Sequence, residues 1–486
     1  MNANPANPAT AATTAPSARG APSEAPVLLL VDDRPSSFTR YAARTLPEHL
    51  VLLRFEELRG DLSEDHLRRT AHLPAFWVRA DVPLAREAAR YRAWADGLPV
   101  APSTFCNPSE PRQALAHRFA ELAGLPHLSS RQVTWVRDKA EMKQRFRELG
   151  LRTAEFTRVR TAAEINWFAT THGWPLVLKP VDSFACVDTH RLDGPGSLVG
   201  IDLTARDWMV EQFLRGTEWE VCAIIHRGEV LDAWPSAMPC RPLDIVDGAM
   251  NANISVGTDE APPVDLRALV QRIVTGMGID HGYAHMEFFL IDGRLYAGEI
   301  GLRLAGCEIP ANHGHAYGFD VFGATLDVYR GIRPALEYRR RQCAGDLLLP
   351  LPGSGTVRRI TPTEELLRVP GVVEAVLKVG VGDAVSARRA SHNASGYVHV
   401  VGASIEEVER RMREVLGAFT IELGPATDGR TTDDPAADDP AADDPAADDP
   451  AAEGATAERP ARSGTADGDA VPGGGAAGSP AMEGAR

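Results

Sequence analysis

Cysteine is scarce in this chain of 486 residues, and what there is lies scattered. The six cysteines, at 106, 186, 222, 240, 307 and 343, form no CxxC pair and no zinc-ligand spacing. Isolated thiols in so long a chain indicate reduced cysteines and a cytosolic home rather than a disulfide framework. Long apolar runs are also missing, since none approaches the ~18 residues that a membrane span needs. Residues 1–24 are rich in Ala, Pro, Thr and Asn but lack the basic start and apolar core of a signal peptide, and read as a disordered leader. A positive balance is absent. The formal charge is −15, and residues 426–486 hold fourteen acids against four arginines, a local −10. The remaining body, at about −5, is too near neutral to suggest a nucleic-acid surface. Several catalytic signatures are lacking too: GxxxxGK[ST], HExxH, GxSxG and a convincing GxGxxG.

What is present falls into blocks. "APVLLLVDD" (25–33) is a short apolar run ending in acids, as in a buried parallel strand whose carboxyl end meets a loop. The runs "HLVLLRF", "AFWVRA" and "LPVAP" alternate with helix-like stretches such as "PLAREAARYRAWADG". This pattern predicts a small doubly wound α/β unit over 25–130. "RDKAEMKQRFRELGL" (137–151) predicts an amphipathic helix closed by Gly150. "PLVLKPV" (175–181) reads as a strand carrying a lysine. "DLRALVQRIVTGMG" (265–278) and "AYGFDVFGATLDVYRGI" read as helices. Tight turns are expected at Arg215-Gly216, Arg227-Gly228 and "GVGD" (380–383). A β-rich segment with one helix, "EEVERRMREVLGAF", fills 341–424. From Thr431 the unit DDPAA repeats four times. Prolines and paired aspartates at that spacing prevent a packed core, so 425–486 reads as a disordered acidic tail.

"AHMEFFLIDGRLYAGEIGLRL" (284–304) reads as a hairpin with a glutamate near each outer end, Glu287 and Glu299. A buried carboxylate without a partner is costly or neutralises itself, so a cation between the two is expected. Side chains alternate along a strand. A two-residue loop at Asp292-Gly293 would therefore pair Glu287 with Gly298 and turn Glu299 to the other face. Shared metal binding thus predicts an odd-numbered loop, most simply a three-residue one with Gly293 in the left-handed region.

Further candidates stand in chain order around this hairpin. Lys139 and Lys179 are placed to cover the phosphates of a nucleotide. The connector Glu211, Gln212, Phe213 and Leu214 is placed to meet adenine through its backbone, and Glu218 to meet the ribose hydroxyls. Glu287 and Glu299 suit magnesium, a hard cation that joins carboxylates to substrate phosphates. Arg303 suits a forked grip on a carboxylate or phosphate.

The ordered stretches "RDKAEMKQRFRELGL", "PLVLKP", "VEQFLRGTEWEV" and "HMEFFLIDGRLYAGEIGLRLAG" together resemble the ATP-grasp superfamily. The resemblance covers roughly 25–424. It implies a pre-ATP-grasp doubly wound domain (25–130) and a two-lobed ATP-grasp domain (131–340, lid roughly 153–212). It also implies a small β-rich C-terminal domain (341–424) of the kind in biotin carboxylase-like members and bacterial L-amino acid ligases. The implied activity is ligation of a carboxylate to an amine through an acyl phosphate, with ATP and magnesium (or manganese), small-molecule substrates, no nucleic acid or membrane, and a homodimer among the allowed assemblies. Arg303 and Lys179 would be the catalytic residues. Two alternatives share the fold: a ligase or carboxylase of nucleotide or cofactor metabolism, and a non-catalytic ATP-binding regulatory subunit. Two departures from the family pattern stand out. The stretch after Lys179, "KPVDSFACVDTHRL", has no glycine, and Gly301 stands where the family has Asn. Substrate contacts are expected in a loop, "CEIPANHGHAYG" (307–318), near His281, His285, His313, His315 and Glu308.

Overall fold

A computed structural model describes residues 25–245, 248–386 and 393–425. The expected leader lies outside the described residues, and so does the acidic tail beyond Pro425.

The chain opens with β1 (Leu28–Val31), β2 (Leu50–Phe55), β3 (Ala75–Val78) and β4 (Thr104–Cys106), a parallel sheet in the order β3-β2-β1-β4. Helices α1 (Ser37–Thr45), α2 (Glu64–Arg69), α3 (Leu84–Ala95) and α4 (Gln113–Ala123) alternate with these strands. Continuous burial of β1 and β2 matches their mostly apolar sequences, as a parallel strand covered on both faces requires, and the one charge, Arg54, is paired with Asp32 at 2.8 Å. The fourth strand is Thr104–Cys106 rather than the expected "LPVAP", whose two prolines cannot donate to a ladder. Helices α5 (Ser130–Arg137) and α6 (Lys139–Glu148) follow. Asp138 caps α6 by accepting from the amides of Ala140 and Glu141, and Gly150 ends the segment at φ +70.

A second sheet, ordered β5-β8-β6-β7, is built from β5 (Phe156–Val159), β6 (Leu176–Pro180), β7 (His190–Leu192) and β8 (Trp208–Gln212). Its own small core includes Ile165 and Phe168 of α7 (Ala162–His172). A four-residue link then leads into the largest sheet.

That sheet has eight strands. It begins with the antiparallel pair β9 (Thr217–His226) and β10 (Glu229–Ala237), whose turn holds Arg227 and Gly228 at positive φ. After the short α8 (Pro242–Ile245) come β11 (Ala252–Val256) and α9 (Leu266–Met277), then β12 (His281–Ile291) and β13 (Arg294–Gly301). Two helices follow, α10 (Ile309–Tyr317) and α11 (Val321–Tyr329). The expected single helix over "AYGFDVFGATLDVYRGI" is thus broken. Gly318 takes φ +71, and the Asp320 side chain caps the new helix at the Gly323 amide. Next come β14 (Cys343–Leu349), β15 (Gly355–Ile360), α12 (Thr363–Leu366), β16 (Val372–Leu377), β17 (Ala384–Val385), β18 (Gly396–Gly402), α13 (Ile405–Ala418) and β19 (Ile421–Gly424). The large sheet runs β13-β12-β9-β10-β11-β14-β18-β16, so it crosses position 340 without a break through the β11–β14 ladder. Strands β17, β15 and β19 form a separate small sheet. No helix among the described residues is long and apolar enough to cross a membrane.

Candidate active site

Side chains alternate across β9 and β12. Trp219, Val221, Met286 and Phe288 enter the apolar core on one face, while Glu218, Glu220, His285, Glu287 and Phe289 line a cavity on the other. The cavity has a volume of about 490 Å³. Its wall also takes residues from the first sheet, the second sheet, α6, the start of α10 and the segment after β16.

The hairpin expectation needs correction. Asp292 and Gly293 form a two-residue loop between the paired Ile291 and Arg294, with φ of +50 and +72. This is the left-handed pair typical of a tight hairpin turn. The three-residue loop is not there. Instead the ladder slips at Gly298: Phe288 pairs with Ala297, and Glu287 pairs with Glu299. This bulge restores by one extra residue the parity that the even loop would lose. On its other side Glu287 pairs with Glu220. Three glutamates therefore stand abreast on neighbouring strands. Glu220 escaped the sequence reading, although the alternation Glu218-Trp219-Glu220 carried the signal. Its carboxylate meets His285 Nε2 at 2.7 Å.

Lys179, buried at the end of β6, reaches both lobes of this site. Its Nζ lies 2.7 Å from Glu211 Oε1 and 2.8 Å from Glu299 Oε1. Lys139, the first residue of α6, donates to the Ser183 carbonyl and lies 3.7 Å from Glu299 Oε2. Lys143, one turn further along α6, lies 2.9 Å from Glu211 Oε2 and donates to the carbonyl of the bulged Gly298 at 3.2 Å. Sequence reading missed Lys143, because an i, i+4 lysine pair on a charged helix looks like a wet face.

The charges resolve unequally. Burial raises the Glu287 carboxyl to about 7, and the neighbouring Glu299 adds to this. Burial would raise Glu299 too, but Lys139 and Lys179 outweigh it and hold that carboxyl well below its ordinary value. For Lys179, the effect of burial is overcome by Glu211 and Glu299, which keep it firmly protonated. Lys139 is lowered, chiefly by burial. Burial and then Glu287 push Glu218 up. Among the described residues Glu287 has no ion-pair partner, so a divalent cation beside Glu287, Glu299 and Glu220 fits the donor set by charge and by oxygen chemistry.

The connector Glu211–Leu214 leads from β8 toward β9, from one sheet into the other, and lines the cavity. The Gln212 amide donates to the Glu155 carbonyl at 2.9 Å, and the Leu214 carbonyl accepts from Arg241 at 3.2 Å. The Phe213 ring has the guanidinium groups of Arg191 and Arg241 each 4.9 Å from its centroid. Arg303 also lines the cavity. It donates to Glu110, which further receives Arg137, and the paired arginines outweigh burial to lower the Glu110 carboxyl to about 2. Glu110 lies before α4 in the first α/β unit and was not foreseen. A Cβ at Gly301 would lie 3.3 Å from Glu110 Oε2, so a side chain there would crowd this bridge.

The glycine-free stretch after Lys179 places Ala185, Cys186 and Asp188 at φ +50, +58 and +53. Three residues with a Cβ thus adopt the conformation glycine favours, and Ser183 through Cys186 form one wall of the cavity. The stretch 307–318 is not the expected loop. Most of it is helix α10, with Cys307, Glu308, Ile309 and Pro310 at the cavity. His285 lines the cavity. His313 is buried against Ser255, its Nδ1 2.9 Å from the hydroxyl. His281 sits at the far end of β12, near Asp280.

Comparison with known proteins follows the same lines. Residues 347–424 match the family model "L-amino acid ligase C-terminal domain 2". An L-arginine-specific L-amino acid ligase of Bacillus subtilis is 22% identical over 271 residues, which is 53% of this chain and 65% of that relative. The match thus spans just under two thirds of the curated relative. The L-amino acid ligase from Bacillus licheniformis superposes with a TM-score of 0.65 at 20% identity, covering 82% of this chain and 99% of that one. The biotin carboxylase domain of 2-oxoglutarate carboxylase from Hydrogenobacter thermophilus, solved with MgADP, ADP and bicarbonate, superposes at 0.60 and 16% identity over 82% and 90% of the two chains. The chain shares the fold of these solved ligase and carboxylase structures, and its residues 347–424 match the L-amino acid ligase C-terminal domain.

Proposed function

We propose that the chain joins a carboxylate to an amine, with amino acids on one or both sides, and releases ADP and phosphate. The observation that carries this reading is the row Glu220, Glu287, Glu299, facing Lys139 and Lys179 within one cavity. Lys139 and Lys179 would neutralise the nucleotide phosphates. Phe213 and the connector would hold the base, and Glu218 the ribose. Magnesium, when bound by Glu287 and Glu299, would supply charge neutralisation at the terminal phosphates. A substrate carboxylate oxygen attacks the γ-phosphorus, and ADP leaves. The amine then attacks the acyl carbon, loses a proton, and phosphate departs with the former carboxylate oxygen. Arg303 would orient the acid, with Glu110 fixing its guanidinium. The acyl phosphate must be kept from water, and the Ser183 to Cys186 wall of the cavity would help to exclude it.

Amino acids are the favoured substrates for two reasons. The curated relative acts on them by its name, and this cavity carries both an acid, Glu308, and a base, Lys378, near α10. Phosphate release from ATP and magnesium, screened over pools of amino acids, tests the activity. Oxygen-18 in the acid should appear in the released phosphate. Formation of AMP would rule out the phosphoryl route, and silence in every pool would favour a non-catalytic nucleotide binder.

A further inference from the structure

A second cluster of potential ligands lies outside the cavity wall. His315 sits on α10, Glu374 on β16 and His399 on β18. One ligand atom from each can be chosen so that all lie within 4.8 Å of one another. Glu374 is brought opposite His399 by an irregularity in the β16–β18 ladder that skips Val373. The His315 and His399 rings are 4.9 Å apart.

The orientation of His399 is the independent sign. Its Nδ1 is 2.7 Å from Asn312 Oδ1. The amide nitrogen of Asn312 is already committed, since it donates to Asp346 and to the Asn253 carbonyl. Asn312 therefore presents oxygen to the ring, and His399 must carry its proton on Nδ1. That leaves Nε2 as a bare lone pair. His399 is 1% exposed, and its Nε2 has no hydrogen-bond partner. The nearest acidic atom, Glu374 Oε2, is 3.6 Å away, beyond hydrogen-bond reach. A histidine whose far nitrogen is fixed by an oxygen acceptor, and whose near nitrogen is buried and unused, is arranged as metal-bound imidazoles are.

We infer that His315, Glu374 and His399 form a binding site for zinc or a similar borderline divalent ion, distinct from the hard-cation site at Glu287 and Glu299. Two imidazoles and one carboxylate are a zinc donor set with a fourth position open to water. Imidazole also selects zinc over magnesium. Tetrahedral ligands around zinc stand about 3.4 Å apart, given bonds of about 2.0–2.1 Å. Closing the cluster therefore needs a shift of about an ångström, and the half-exposed Glu374 has room to make it. The ion would tie α10, whose first turn borders the cavity, to the two strands at the far edge of the large sheet.

The test uses the full chain, stripped with chelator and titrated with zinc in excess magnesium, which occupies the carboxylate site. One zinc per chain should be retained, with a raised melting temperature. Cobalt in its place should give visible absorption of a tetrahedral site with nitrogen ligands. His315→Ala and Glu374→Gln should each abolish the retained zinc and the cobalt spectrum while circular dichroism stays native; Glu299→Gln should change neither. If His315→Ala fails to fold, the surface-facing Glu374→Gln decides alone. Wild-type protein that retains no zinc, or an unchanged cobalt spectrum in Glu374→Gln, overturns the site.

Discussion

Glu287 and Glu299 face each other across the β12–β13 ladder only because Gly298 is bulged out between them. A Cβ at Gly298 would sit 2.9 Å from the Glu287 carbonyl oxygen, closer than the backbone can accept without moving. The residue that sets the pairing is thus one that has no side chain to place. Gly298→Ala should cost about 1–3 kcal/mol of stability by overpacking. It should also weaken magnesium binding by rotating one carboxylate off the shared face. Thermal melts with and without magnesium measure both effects, and an unchanged magnesium response would contradict this account of the bulge.

Lys179 bridges Glu211 and Glu299, so its loss would remove two buried ion pairs as well as the proposed nucleotide contact. Lys179→Met should destabilise the protein by less than the roughly 3–5 kcal/mol that a wholly unpaired buried charge costs, because Lys143 still faces Glu211 and Lys139 still faces Glu299. Adding Glu299→Gln should return part of that stability without returning activity. Denaturant unfolding of the two single variants and the double variant tests the coupling. Additive losses would mean that the pair is not energetically joined.

The raised carboxyl of Glu287 makes stability depend on pH. Its folded value of about 7 lies above the ordinary 4.5, so the native state holds a proton that the unfolded chain has lost. This contribution is complete below about pH 4.5 and disappears as pH rises through about 7. Magnesium at the proposed Glu287–Glu299 site would compete with that proton. The rise in melting temperature on adding magnesium should therefore be small at pH 6 and larger at pH 8. Asp346 also titrates near 7, raised by burial and by Glu308, so the comparison is made against Glu287→Gln, in which the magnesium response should lose its pH dependence.

Ala185 holds φ +50 in the wall beside the lysines. Relief of that backbone strain should let Ala185→Gly gain up to about 1 kcal/mol, after the greater chain entropy of glycine is offset. A differential-scanning melt is sufficient to see it. A fall in melting temperature would show that the Ala185 methyl group packs more strongly than its backbone is strained.

Much of this architecture was legible in local pattern. The run at 28–31 is apolar throughout and that at 50–55 is apolar except for Arg54, and both form buried parallel strands. Asp138, Gly150, Asp265 and Gly278 mark helix ends, because capping is decided within a few residues. Lys179 stood out as a charge in an apolar strand. Parity across a hairpin was not legible. It depends on whether a glycine bulges, and that is settled by the Glu287 carbonyl and by Lys143 reaching the Gly298 carbonyl from a helix 155 residues away. The partnership of Arg303 with Glu110 spans 193 residues. Nothing local marks Glu110 as its partner. Likewise, no composition shift near 340 reveals that β11 pairs with β14 and carries one sheet across that point. Sequence alone therefore determined most of the elements and the kinds of charge available, because propensity, alternation and capping act over a few residues. Which charges meet was decided only by the tertiary fold, since ladder register and packing between distant segments bring them within a few ångströms.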